Sequence, residues 1–350
     1  MSGVSAEVQQ EGLAQFMNTK QIILETLEKE PGFFSGEMLS QKCGVSRTAV
    51  WKQIQKLQEE GYDIESQRKL GYRLLSRGDV LNEQEIRRRL SDEASVWYPH
   101  IFCHDEIDST NLEARRMILK GHGNGTVIVS EMQTAGKGRL GRHWESPKGT
   151  GIWFSVILEP GVSLQETSQY SFVMAVAVAE AIREVTGLPA TLKWPNDILI
   201  QGKKVCGILL ELVAELTQVQ QLIVGIGVNA NQKMSDFPEE VQKKATSLAV
   251  ASEKTVKRTE LLGVILEKIQ ENCILLEKKG FKEIRTKWMD LSCVIGKEVQ
   301  VVKSGNVLLY GVATGIDETG ALLVDTGTVT EHIVAGDVSL RAKDGTYFQK

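Results

Sequence analysis

The stretch that most narrows what this chain can fold into is Glu131-Met-Gln-Thr-Ala-Gly-Lys-Gly-Arg-Leu-Gly-Arg-His-Trp144, whose glycines at 136, 138 and 141 fit G-x-G-x-x-G. In a dinucleotide-binding domain those glycines follow a strand and open a helix whose N-terminus meets the pyrophosphate. Thr126 to Ser130 can supply the strand. The helix is missing, because Pro147, Gly149 and Gly151 interrupt the residues that should form it. With the doubly wound dinucleotide fold set aside, a glycine-spaced loop carrying Lys137, Arg139 and Arg142 remains. Such a loop can close on a phosphate or carboxylate. A solvated basic loop has the same composition, and both readings stay open on these residues alone.

Bulk properties narrow the class. A length of 350 residues suits two or three domains, and a formal net charge of −4 means that any nucleic-acid contact must come from a local patch. No window reaches the roughly 18 apolar residues of a membrane span. Met1 to Gln15 lacks the basic and apolar regions of a signal peptide. The cysteines at 43, 103, 206, 273 and 293 never form a C-x-x-C pair, which fits a reducing compartment; a cytoplasmic address is expected. His100, Cys103 and His104 have ligand-like spacing, but on a strand Cys103 points away from the two histidines, so no metal set is expected there.

The expected organisation is α+β in three parts: a winged helix-turn-helix over 19–76, a mixed α/β domain over 77–292 and a small five-strand β-barrel over 293–342. In the first part, Cys43-Gly44 turns between two short helices spanning 36–55, and Ser46 is placed to cap the second. Val50, Ile54 and Leu57 face inward, leaving Arg47, Thr48, Lys52, Gln53 and Lys56 polar and outward as a major-groove helix needs, and Ser46, Arg47, Thr48 and Lys52 are the candidates for DNA contact. Gly61 to Leu74 reads as a hairpin wing with Arg68 and Lys69 at its tip. Glu59, Glu60, Asp63 and Glu65 offset much of the basic charge, so DNA affinity should be modest and depend on dimerisation.

In the second part, Thr110-x-x-Glu113 and Ser163-x-x-Glu166 carry capping-box signatures, opening helices that run to about Lys120 and Val185. Ser109 and Thr110 are explained by capping, or by binding an acyl or ureido oxygen at the helix N-terminus. Strands are expected over 191–200, 204–212 and 221–229, with a hairpin turn at Gln201-Gly202 and with Pro195 displaying Asn196 and Asp197 irregularly. Helices follow over 259–279 and 281–291, then short strands with Gly turns, and a frayed tail from Lys343 to Lys350.

Five motifs then stand in order: Asp-Ser-Thr-Asn (108–111), Gln-Thr-Ala-Gly-Lys-Gly-Arg (133–139), Lys-Trp-Pro-Asn-Asp (193–197), Lys-Val-Cys-Gly-Ile-Leu (204–209) and Gly-Val-Asn (227–229). With the winged helix before them and the small strands after, nearly the whole chain resembles the bifunctional bacterial biotin–protein ligases that double as biotin operon repressors. The resemblance implies that Ser109, Thr110, Asn111 and Gln133 bind biotin, with Lys137, Gly138 and Arg139 closing over it and Lys204 meeting its carboxylate and the α-phosphate. It implies that Arg142, Trp144, Asn196 and Asn229 hold ATP, that Asp197 orients the incoming lysine or a metal, and that Arg139, Lys204 and Asp197 are catalytic. Mg²⁺ would accompany ATP without a dedicated protein cage. Many members of the family carry Arg where this chain has Lys137, which keeps the charge and loses the bidentate geometry.

The implied activity makes biotinyl-5′-AMP and transfers biotin to a lysine of the carrier domain of acetyl-CoA or pyruvate carboxylase. The implied regulation is ligand-linked homodimerisation through the central sheet and repression at operator DNA, with no membrane partner. A lipoate-type ligase and a ligand-sensing repressor without ligase activity are the alternatives. The loop from Ala135 to Arg142 is expected to act as a lid over the adenylate.

Overall fold

Two serines set the frame of the N-terminal region. After a first helix, α1, over residues 19–29, the Ser35 side chain accepts from Met38 N to start α2 (Gly36–Cys43), and Gly44 ends it with φ 67°. Ser46 accepts from Ala49 N to start α3 (Arg47–Glu59), as expected. Val50, Ile54 and Leu57 of α3 are fully buried against Ile23 and Leu24 of α1. Strands β1 (Asp63–Gln67) and β2 (Gly71–Ser76) pair antiparallel to make the wing. Phe34 and Tyr72 exchange both backbone hydrogen bonds, tying the wing to the entry of α2. Gly71 is required there: its φ is 111°, and an added Cβ would lie 2.0 Å from the Phe34 carbonyl oxygen.

The computed structural model describes residues 19–29, 31–163, 166–215, 218–303, 305–336, 338–346 and 348, and it divides into Met1–Val80 and Leu81–Lys350. Met1 to Gln15, Leu164, Gln165 and Ser304, on which expectations above fall, lie outside the described residues.

The second unit opens with α4 (Glu83–Arg87) and α5 (Asp92–Trp97) and builds a seven-stranded sheet. Its elements run β3 (His100–His104), α6 (Thr110–Leu119), β4 (Thr126–Ser130), β5 (Ile152–Leu158), α7 (Ser168–Thr186), β6 (Thr191–Lys193), β7 (Asp197–Ile200), β8 (Lys203–Glu215) and β9 (Gln218–Val228). The strand order is β3-β4-β5-β9-β8-β7-β6, and only β3 and β4 are parallel. Period-two alternation sends Val127, Val156 and Val224 to one face, packed with α7 and the later helices α10 (Arg258–Lys279) and α11 (Phe281–Leu291). Ile128, Ile157 and Ile223 go to the other face, under Ala114 and Met117 of α6. Short helices α8 (Glu239–Gln242) and α9 (Leu248–Ser252) lie between the sheet and α10 in sequence.

Several local expectations change. The strand expected over 191–200 is a tight hairpin of β6 and β7 that turns at Trp194, Pro195 and Asn196. The Gln201-Gly202 turn is present, both residues having positive φ. Neither capping box caps its helix as drawn. Ser109, rather than Thr110, is the N-cap of α6 and makes no side-chain cap bond, while Thr110 turns its hydroxyl to Gln133. The Glu166 carboxylate does accept from Ser163 N, but α7 starts only at Ser168.

The C-terminal strands β10 (Glu298–Lys303), β11 (Asn306–Ile316), β12 (Leu322–Asp325), β13 (Thr330–Ile333) and β14 (Val338–Ala342) form one antiparallel sheet in the order β13-β12-β11-β10-β14. Among the described residues no ladder joins β13 to β14, so this small sheet is open where a barrel was expected. The chain between those edges leads instead to Gly336, whose carbonyl accepts from Arg139. The β11–β12 turn docks on the β6–β7 turn and on the start of α7: Trp194 Nε1 donates to Gly320 O at 3.2 Å and Ser168 Oγ to Thr319 O at 2.8 Å. The tail is not frayed throughout, since Phe348 is buried in the core.

Replacing Gly71 by Ala should destabilise the first unit by more than about 1 kcal/mol, because positive φ and a backbone clash add. Urea unfolding followed by circular dichroism checks this; an unchanged midpoint would contradict it.

Candidate functional site

The sheet face that α6 covers loses its side chains at one place. Gly207 of β8 stands opposite Gly227 of β9, and Gly225 lies two residues earlier on the same face. A Cβ at Gly225 would lie 2.2 Å from Asn111 Oδ1, and one at Gly227 would lie 2.5 Å from Trp144 Nε1. These glycines make the floor of a cavity of about 500 Å³, within the usual range for small-molecule sites.

One wall is the N-terminus of α6. Gln133 Oε1 accepts from Thr110 N at 2.8 Å and Thr110 Oγ1 at 3.1 Å, while Gln133 Nε2 donates to Ser146 Oγ at 2.9 Å. Ser155, fully buried on β5, reaches Asn111 Oδ1 at 2.6 Å and Thr110 Oγ1 at 2.7 Å. Asn111 Nδ2 donates to Glu211 Oε2 at 2.9 Å. The side chains of Thr110, Asn111, Gln133 and Ser155 thus have their orientation set before a ligand arrives. Asp108 supports the turn below it, accepting from Ser109 N, and the Arg116 guanidinium beside it holds its carboxyl below the usual carboxylate range.

The glycine-spaced loop folds back on itself. Trp144 N donates to Gly136 O, Gly138 N donates to Arg142 O, and Leu140 and Gly141 make the turn with φ of 60° and 69°. Lys137 and Arg142 are exposed at the mouth. Arg139 reaches inward, donating to Asn196 Oδ1 at 3.0 Å and to Gly336 O at 2.7 Å. The loop is anchored at its base by Glu131, which receives Arg258 of α10 in a nearly buried ion pair of 2.6 Å.

Opposite the loop, the β6–β7 hairpin supplies the charge. Asp197 lies between Lys204 Nζ at 2.5 Å and Lys193 Nζ at 3.6 Å. Lys193 is only 3% exposed, and burial pushes its ammonium down to about 8, against the pull of Asp197. Lys204 Nζ also sits 5.1 Å above the Trp144 ring. Trp144 Nε1 is buried without a hydrogen-bond partner. Asn196 Nδ2 donates to Ile208 O, and Asn229 Nδ2 donates to Thr246 O.

Ser109, Thr110, Asn111, Gln133, Lys137, Gly138, Arg139, Arg142, Trp144, Asn196, Asp197, Lys204 and Asn229 therefore all line the same cavity. Sequence reasoning picked out Gly207 as a place where a ligand can approach the backbone, and missed Gly225 and Gly227 as the rest of the floor, Ser155 behind Thr110 and Asn111, Lys193 as a site residue, and the contribution of β14 through Arg341. The floor had a signal, glycines at 225 and 227 spaced two apart before the Asn229 amide; Ser155 had none within its apolar strand. The DNA-side candidates Arg47, Thr48, Lys52, Arg68 and Lys69 are exposed on α3 and on the wing tip; Ser46, also exposed, is spent on the cap, and Gln53, expected outward, is instead buried beside Val50, Ile54 and Leu57 on the inner face of α3.

Comparison with known proteins gives three matched regions. The Biotin/lipoate A/B protein ligase family matches residues 104–229, a helix-turn-helix domain residues 19–73, and the biotin protein ligase C-terminal domain residues 294–341. The bifunctional ligase/repressor BirA of Bacillus subtilis is 40% identical over 308 residues, covering 88% of this chain and 94% of its own length. This chain belongs to the bifunctional ligase/repressor family. Its Escherichia coli relative is 30% identical over 331 residues, 93% of this chain and 99% of that one. Among solved structures, the biotin protein ligase of Aquifex aeolicus in complex with biotin and ATP is 36% identical with a TM-score of 0.61, covering 70% of this chain and 99% of its own. As a ligase/repressor the chain keeps all three matched regions in one polypeptide.

The buried Lys193 has a measurable signature. An unfolded lysine titrates near roughly 10.4, so between that value and about 8 the unfolded chain holds more protons and stability rises with pH. Unfolding curves of the native chain and of Lys193→Met should diverge in favour of the native chain across about pH 8 to 10. Parallel curves would mean that Lys193 is not desolvated.

Proposed function

We propose that this ligase/repressor uses the single cavity for both halves of ATP-dependent biotin transfer and reports the intermediate to DNA. The observation that carries the reading is that residues from five separate motifs, all named for ligand contact, line one cavity. In the first half-reaction a biotin carboxylate oxygen attacks the α-phosphorus of ATP. The bond to the bridging oxygen breaks, pyrophosphate leaves, and biotinyl-5′-AMP remains. Two anions must meet, so cations and positioning matter more than an acid–base pair.

Arg139 and Lys204 are the groups placed for that task. Arg139 now donates to two carbonyl oxygens, which an anion replaces at little cost, and Lys204 already faces the glycine floor. The Thr110–Gln133–Ser155 network suits the ureido ring of biotin, being aligned by its internal hydrogen bonds. Trp144, whose Nε1 is unsatisfied where it lies, can leave the floor to stack on adenine. Arg142 and Lys137 at the mouth would meet the outgoing phosphates, and Asn196 and Asn229 would bound the nucleotide. Mg²⁺ would enter on the triphosphate, while Asp197 is engaged by two lysines.

In the second half-reaction the ε-amine of a carrier-protein lysine attacks the acyl carbon, an amide forms, AMP leaves and a proton is lost. Asp197, at the edge of the cavity, would orient that amine. The acceptor would be the biotin carrier domain of a carboxylase. Lipoate is the competing acid for this fold; the Aquifex aeolicus relative above is a biotin protein ligase, and competition between the two acids decides.

For regulation, β8 outruns β7 and borders no other strand on that side beyond the Asn196–Ile208 pairing, among the described residues. Two copies joined along this edge would extend the sheet and bring two winged helices to one operator.

With biotin, α-labelled ATP and a carrier domain, the chain should form labelled biotinyl-AMP and biotinylated carrier; folded protein that makes neither would sink the enzymatic reading. Lys204→Gln should slow adenylate formation by about 10²–10³-fold, read in a pyrophosphate-release assay; an unchanged rate removes its role. Sedimentation should show dimers, and operator duplex should bind more tightly, only when biotin and ATP are both present. Equal affinity without them would remove the sensor.

A further inference from the structure

Helix α3 carries a side chain that its basic surface does not account for. Trp51 is 51% exposed, although α3 has an inner face where Val50, Ile54 and Leu57 are fully buried. It lies one turn beyond Arg47 and Thr48 and next to Lys52, all three exposed. Leaving much of an indole in water gives up apolar burial that the small first unit could use. The surrounding residues say what could cover it: Arg47, Lys52 and Lys56 on α3, with Arg68 and Lys69 on the wing, are exposed cations suited to phosphates. Duplex DNA offers one strongly apolar group in the major groove, the C5-methyl of thymine. The first turns of a recognition helix are where base edges are reached, and Trp51 is the fifth residue of α3.

We propose that Trp51 is a base-reading residue that packs on thymine methyl groups in the major groove and sets an A·T preference within each operator half-site. The inference rests on the repressor reading, but phosphate-contacting cations alone would give binding without this preference. Leu70, 48% exposed at the wing, has no comparable position on a groove-reading helix.

The test uses the full chain with biotin and ATP. Random duplexes are selected for binding, and the thymines of the selected site are replaced one at a time, in both half-sites, by deoxyuridine, which lacks only the methyl. At one position the replacement should weaken binding by the native chain about three- to tenfold. Trp51→Ala should weaken binding to the thymine site about tenfold and abolish the difference between thymine and deoxyuridine, whereas Trp51→Phe should keep part of it. Circular-dichroism melting confirms that the variants fold, and the deoxyuridine series on the native chain stands without them. If every thymine is replaceable without loss, or if Trp51→Ala keeps the same thymine dependence, the proposal is overturned while the repressor reading stands. If no duplex is enriched at all, both fall.

Discussion

The placement of Asp197 between Lys193 and Lys204 is the interaction on which the site's geometry depends. A carboxylate 12% exposed and a lysine 3% exposed are expensive to hold charged unless each has a partner. Breaking such a pair from one side costs about 3–5 kcal/mol, far more than a surface ion pair contributes. The arrangement needs the β6–β7 hairpin on one side and the start of β8 on the other, so the same contact that satisfies the charges also aligns these elements. It leaves Lys204 beside the cavity and Asn196 where Arg139 can reach it. Structure and electrostatics are set together.

The rest of the cavity is made by subtraction. On the face that α6 covers, Ile128, Ile157 and Ile223 fill the space under the helix, and Ser155, Gly225, Gly227 and Gly207 then stop filling it. One strand alternation therefore gives both the packing of α6 and the room for a ligand beside it. The glycine-spaced loop closes the opposite side. Its inward cation is held by carbonyl oxygens, one from β6–β7 and one from the C-terminal sheet. The C-terminal region accordingly contributes to the cavity wall.

Much of this was legible in the chain, for physical reasons that differ from place to place. Helix starts at Ser46 and stops at Gly187 follow from local backbone chemistry, which needs no tertiary information. The exclusion of a dinucleotide fold followed from Pro147 and two glycines. Thr110 was harder: its hydroxyl can cap a helix or bond Gln133, and only the three-dimensional position of Gln133 decides. Ser155 looks like a polar interruption in an apolar strand until Thr110 and Asn111 are brought opposite it. The split of 191–200 into two strands was half visible, since Pro195 marked an irregularity without fixing its shape.

The helix-turn-helix and the ligase region fall in separate units of the chain, and in the proposed function the acyl-adenylate is the term they share. The account's central claim is that the biotin carboxylate itself attacks the α-phosphorus in this cavity. Biotin labelled with ¹⁸O in both carboxylate oxygens, incubated with ATP, the chain and a carrier domain, tests it most directly by mass spectrometry of the released nucleotide. The account predicts AMP carrying one ¹⁸O atom for each biotin transferred. Unlabelled AMP, or label found in another phosphate product, would contradict it.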